Sequence, residues 1–225
     1  MKKILLCMLI SLLLFGCGKK EEEVKLNDWE YLNKIEKSSL SENEKNIFEK
    51  ATKTNSQYKF EPINLIASQV VSGTNYMYLC NATDENNNTS LKVAIVNYDL
   101  KKNATLLSVN DFHAAKYVGK TIETNIEELT GSWNVKEGSK GLELDKESSL
   151  AFKKAIATLT KVKYTPIGLL AKQKNSDINY AILAYGKSNE KDSKTYLYVL
   201  TINDDLDGRV KLNNVAYVNL NEFNQ

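Results

Sequence analysis

The chain has 225 residues with 30 basic and 28 acidic side chains, one histidine, two prolines and three cysteines. Such a balance excludes the cationic surplus that nucleic-acid binders need, and one histidine excludes a histidine-rich metal site. The first residues run Met1-Lys2-Lys3, then an apolar stretch from Ile4 to Phe15, then Gly16-Cys17. A basic start and a short apolar core form a secretory signal, and the run is too short for a helix that must span roughly 20 residues of hydrocarbon. Cleavage after residue 16 would remove Lys2 and Lys3 and no acid, leaving a formally neutral mature chain. Cys7 would leave with the signal, so Cys80 has no intramolecular disulfide partner once Cys17 is modified.

Leu14-Phe15-Gly16-Cys17 resembles the lipobox of bacterial lipoproteins. The resemblance implies export, a covalent lipid on Cys17 as the only attached group, and attachment to the cell membrane or the outer membrane. Residues 17–25 continue as a charged tether, Gly-Lys-Lys-Glu-Glu-Glu and onward, with no apolar face.

An internal repeat organises the rest. At an offset of 104, 14 of 35 successive pairs from Phe48/Phe152 onward are identical, including Pro62/Pro166, Gln69/Gln173, Asn75/Asn179 and Tyr76/Tyr180. The same offset superposes Trp29 on Trp133, the only two tryptophans, and Ser41 on Asp145. The chain therefore reads as repeat 1 over 26–112, a linker over 113–128, and repeat 2 over 129–225.

Each repeat has the same local signals. A tryptophan segment offers a first strand. Ser41-Glu-Asn-Glu44 is a capping box that opens a helix of about 15 residues carrying Ile47, Phe48 and Ala51. After Asp145 the spacing of Phe152, Ala155, Ile156 and Leu159 predicts a second helix with one apolar face. Pro62 and Pro166 are expected to stop helical continuation and lead into strands. Strands follow over 63–71, 75–81, 91–98 and 105–109, repeated over 167–173, 179–185, 195–202 and 210–220. The fold class is α+β: two tandem units, each one helix packed on an antiparallel sheet of four to five strands.

That element order, with Gln69-Val70-Val71-Ser72-Gly73 between two strands, resembles the cystatins and their Q-x-V-x-G hairpin. The resemblance implies a binding module without catalytic residues, and specifically inhibition of papain-like cysteine proteases through a three-part wedge. Gln69, Val70, Val71, Ser72 and Gly73 would be the protease-binding loop, and Gly131 a trunk glycine. The second hairpin of repeat 1, near Lys101-Lys102-Asn103, lacks the family's Pro-Trp, and repeat 2 reads Gln173-Lys174-Asn175-Ser176-Asp177. Two readings of Gly73 stay open, a wedge element or a tight turn. Two readings of the whole stay open as well: a protease inhibitor, or a non-inhibitory scaffold or adhesin-like module for another protein ligand.

Two further patterns point to chemistry. Cys80 and His113 would be the raw material of a nucleophilic pair, although Cys80 lies in a strand where a small hydrophobe belongs. Asn203-x-Asp205-x-Asp207-Gly208 copies the opening of a calcium loop, but its flanks read as strands and Asp207-Gly208 is also a hairpin turn. No catalytic set, metal centre or cofactor is assigned.

Overall fold

The computed structural model describes residues 40–118, 144–174 and 176–224, together with the strand segments Glu30–Tyr31 and Asn134–Val135. Cys17, Trp29, Gly131 and Trp133 lie outside the described residues. In chain order the elements are β1 (Glu30–Tyr31), α1 (Glu42–Thr52), β2 (Lys59–Val71), β3 (Gly73–Thr83), β4 (Thr89–Tyr98), β5 (Ala104–Asp111), β6 (Asn134–Val135), α2 (Lys146–Ile156), β7 (Val162–Lys174), β8 (Ile178–Ser188), β9 (Thr195–Asp204) and β10 (Val210–Tyr217). The class is α+β, with two helices among the described residues and two antiparallel sheets whose four long strands each come from one repeat.

Both helices start where the sequence places them. Ser41 accepts from the Glu44 backbone N–H while the Glu44 carboxylate takes the Ser41 N–H, and Asp145 caps α2 by accepting from Ser148. Each helix is 11 residues long, which for α1 is shorter than the expected 15. In α2 the buried face is Ser148, Ala151, Phe152 and Ala155. Leu159 lies beyond the helix and is 38% exposed, because α2 ends at Ile156.

Pro62 and Pro166 do not precede their strands. They sit inside β2 and β7, each at a bulge, between Pro62 and Asn64 and between Pro166 and Gly168. A bulge is where a strand tolerates a residue without an N–H. The offset between repeats also changes: β4 and β9 align at 106, not 104, because the turn between the second and third long strands is two residues longer in repeat 2.

The short strands pair across the two repeats. β1 opens repeat 1 but pairs with β7 of repeat 2, Glu30 opposite Lys172 and Tyr31 opposite Ala171. β6 belongs to the opening of repeat 2 but pairs with β2 of repeat 1, Asn134 opposite Ser68 and Val135 opposite Ala67. The sheet orders are β1-β7-β8-β9-β10 and β5-β4-β3-β2-β6. The repeats have therefore exchanged first strands, and neither sheet is completed by its own repeat.

Each sheet is covered on both faces, and not on one. α1 and α2 pack on one face of their own sheets, giving a cluster around Ile47, Phe48, Tyr78 and Cys80 and another around Phe152, Tyr180, Ile182 and Leu200. The opposite faces pack on each other. Ile63, Ile66, Met77, Leu79, Val93 and Ile95 of repeat 1 share one core with Ile167, Leu170, Ala181, Leu183, Leu197 and Val199 of repeat 2. Burial of both faces explains the continuous apolar runs along β2, β3, β8 and β9, since only a one-sided strand needs alternation. The order of layers is helix, sheet, sheet, helix.

The presumed linker begins inside this core. Phe112, Ala114 and Tyr117 are buried around a 3-10 turn at Ala114–Lys116, and Val218, Leu220 and Phe223 do the same after β10. Phe112 stacks on both Tyr117 and Phe223, with centroids 5.8 and 6.1 Å apart. Asn110 donates to the Phe223 carbonyl at 2.9 Å, the Tyr117 hydroxyl bonds Glu222, and the Tyr185 hydroxyl of repeat 2 donates to the Leu65 carbonyl of repeat 1 at 3.3 Å. The junction closes one end of the molecule. The hairpins β2–β3, β4–β5, β7–β8 and β9–β10 lie at the far ends of their strands from it.

Candidate functional site

At that far end of repeat 1, two hairpins stand side by side because β3 and β4 are neighbours. Val70 is 81% exposed, Val71 is 43% exposed, and Ser72 is exposed at the turn itself. Gly73 adopts φ +110°, and a Cβ there would lie 2.3 Å from the Tyr98 carbonyl oxygen and 2.9 Å from Asp99 Cα. Glycine is thus required twice, by the backbone angle and by the closeness of the second hairpin. Gly73 thus makes the tight turn between β2 and β3.

Gln69 is not a free surface side chain. Its Oε1 accepts from Asn75 Nδ2 at 2.9 Å, and Asn75 Oδ1 accepts from Asn97 Nδ2 at 2.8 Å. Repeat 2 has the same ladder in Gln173, Asn179 and Asn203, at 2.8 and 3.0 Å. The ladder crosses three strands one step behind the tips and fixes their spacing. Asn75→Ala, which takes away both bonds in repeat 1, is expected to cost about 1–3 kcal/mol. In thermal melts followed by circular dichroism that is a fall of roughly 3–10 °C for a chain of this size.

The second hairpin supplies a side chain that reading the sequence missed. Leu100 is 83% exposed at its tip, in the place where the sequence shows neither proline nor tryptophan. The Asp99 carboxylate underneath is consumed by the turn, accepting from the N–H groups of Lys101 and Asn103 at 2.8 Å each and from Asn103 Nδ2 at 2.8 Å. The Asn103 side chain, and then the backbone donors, hold that carboxyl below the usual carboxylate range. The signal was available: Asp99-Leu100 and Asp205-Leu206 match at an offset of 106, and Leu206 is also 83% exposed.

The equivalent end of repeat 2 is different. Lys174 and Ser176 are exposed where repeat 1 has Val70 and Ser72, so the apolar edge is reduced to Leu206. Asn203, Asp205 and Asp207 do not converge on a cation site. Asp205 Oδ1 accepts from the N–H groups of Asp207 and Arg209, Asp205 Oδ2 takes Arg209 Nε at 2.8 Å, and Asp207 Oδ2 takes the Arg209 guanidinium at 2.6 Å. Arginine occupies the anionic face that a calcium ion would need. Among the described residues no group of three or more His, Cys, Asp or Glu side chains is placed to hold a metal ion.

Cys80 and His113 are not brought together. The Cys80 thiol is fully buried between the sheet and α1 and faces the Lys92 carbonyl, whereas His113 is exposed before the 3-10 turn. Burial pushes the thiol up to about 12, against a smaller opposite effect of Lys92. A thiol that is both buried and held protonated is shielded from reagents that attack thiolates. Residues 24–225 are therefore expected to leave Ellman's reagent unreacted at pH 8 over an hour, and to titrate one thiol in 6 M guanidinium.

The described residues thus present a paired-hairpin edge on an α+β body. No family model matches the chain, no curated protein matches it, and no solved structure matches it.

Proposed function

We propose that the protein is an exported, lipid-anchored binding protein without catalytic activity. Its paired hairpins in repeat 1 enter the cleft of a protein partner in the manner of a cystatin, with a papain-like cysteine protease as the first candidate. The observation that carries this reading is the hairpin edge itself, where Val70 and Leu100 stand 81% and 83% exposed on turns locked together at Gly73. Large exposed aliphatic side chains on a preorganised edge lose little conformational freedom on binding. What supports the cystatin reading is a helix on one face of each sheet and a short strand at the β2 or β7 edge, although that strand comes from the other repeat. Asn134 lies opposite Ser68, one position from Gln69 on the same strand. Attachment at Cys17 rests on the lipobox and the signal-like run before it.

The test is inhibition of papain by residues 24–225, compared with Val70→Glu. Val70 is the better lesion than Gly73, because any side chain at Gly73 disturbs the fold. Sub-micromolar inhibition lost in Val70→Glu is the expected result. Absence of inhibition, or inhibition indifferent to Val70, would overturn the inhibitor reading and leave a non-inhibitory scaffold or adhesin-like module.

A further inference from the structure

Three turns in this chain share one architecture and differ only in what they present. Asp84-Glu85-Asn86-Asn87-Asn88, Asp99-Leu100-Lys101-Lys102-Asn103 and Asp205-Leu206-Asp207-Gly208-Arg209 each use the leading carboxylate to accept from the N–H groups two and four residues on. Each also places its fourth residue at positive φ, Asn87 at 63°, Lys102 at 66° and Gly208 at 74°. The turn at the opposite end of the repeat 1 sheet has Glu85 in second place, so the architecture does not require a leucine there. Nor does it favour lysine in fourth place. Glycine and asparagine tolerate the left-handed region best, and those are the residues at the other two turns.

Folding therefore accounts for neither the exposed Leu100 nor the strained Lys102. Lys101 and Lys102 are both exposed, and among the described residues no acidic side chain pairs with either ammonium. Asp99 keeps its negative charge beneath the turn, where its oxygens bond amide groups and not either ammonium. The result is an apolar edge of Val70, Val71 and Leu100 with two unpaired cations on one side.

We propose that Leu100, Lys101 and Lys102 choose the partner: a protein cleft that is apolar where the leucine enters and lined with carboxylates at the adjoining rim. The proposal rests on the reading of this tip as a contact surface. A shaped protein cleft fits the observations better than a lipid surface. The two hairpins are held in one geometry by the Gly73 contact and the amide ladder, and fixed geometry is rewarded by a complementary cleft, not by a fluid bilayer.

The experiment is a titration of isotope-labelled residues 24–225, followed by amide shifts, with three probes. These are the peptide acetyl-Glu-Leu-Glu-Leu-amide, its glutamine counterpart, and phosphatidylglycerol vesicles. The glutamate peptide is expected to shift Val70–Gly73 and Leu100–Asn103, with the glutamine peptide at least threefold weaker. Lys101→Gln combined with Lys102→Gln is expected to remove that preference. Lys102→Gly is expected to melt roughly 2–4 °C higher than the native chain while binding the glutamate peptide less well, a trade-off that a purely structural lysine would not show. Equal response to the two peptides, no response to either, vesicle binding in their place, or stabilisation without loss of binding would overturn the proposal. Papain inhibition lost in Val70→Glu but indifferent to both lysines would keep the contact surface and remove this selectivity. A glutamate-selective response without papain inhibition would do the reverse.

Discussion

Gly73→Ala is expected to destabilise residues 24–225 by about 2–4 kcal/mol, because a side chain there is strained by φ +110° and collides with backbone. In a thermal melt that is a loss of roughly 5–15 °C for a chain of this size. The colliding atoms are the Tyr98 carbonyl and Asp99 Cα, which cannot swing aside like a side chain, so relief requires the two hairpins to part. Amide shifts of Leu100–Asn103 should move together with those of Val70–Ser72 in the variant. Gly208→Ala is the matched control. Its φ of +74° lies in the ordinary left-handed region and nothing lies within 4 Å of the added atom, so about 1 kcal/mol is expected. Equal losses at the two positions would mean that the hairpins of repeat 1 are not in contact.

Cutting the chain between the repeats should have the other large effect. Residues 24–118 alone would expose Ile63, Ile66, Met77, Leu79, Val93 and Ile95, all at most 4% exposed in the whole protein. Removing each such side chain from water is worth about 1.5–3 kcal/mol, so six of them match or exceed the whole stability of an ordinary domain, about 5–15 kcal/mol. The fragment would also lose β6 from the edge of its sheet. It is expected to be aggregated or unfolded by size-exclusion chromatography and circular dichroism, and to be rescued by co-expression with residues 119–225. A monomeric, folded fragment would show that the shared core contributes little.

How far the fold is legible before any coordinates depends on which interactions are local. The duplication is plain from a fixed offset, and the helix starts from Ser41 and Asp145, because capping is decided within four residues. The second covering layer was also written in the sequence. Runs such as Ile63–Ala67 and Leu197–Ile202 leave almost no polar position for a solvent-facing side, and they belong to strands buried on both faces. The strand exchange has no such signature. Two-residue strands carry too little pattern to name a partner, and the choice is made by long-range geometry. At the site, Val70 and Gly73 were legible from their motif. Leu100 was hidden by the two-residue lengthening in repeat 2, which moves its counterpart Leu206 out of the original alignment. Gln69 was found for a family reason, yet its bonds to Asn75 give it a framework role that repeat 2 retains without the rest of the motif.

The exchange adds strand pairing between the repeats to their shared core, and it can be tested by disulfide trapping. Paired cysteines would be introduced into residues 24–225 carrying Cys80→Ala. Opposed residues on adjacent antiparallel strands are within bridging distance. In the exchanged arrangement Ser68→Cys should close onto Asn134→Cys, and Lys172→Cys onto Glu30→Cys, within a monomer. Efficient closure of Ser68→Cys onto Glu30→Cys, with none onto Asn134→Cys, would mean that each repeat keeps its own first strand and would contradict the account.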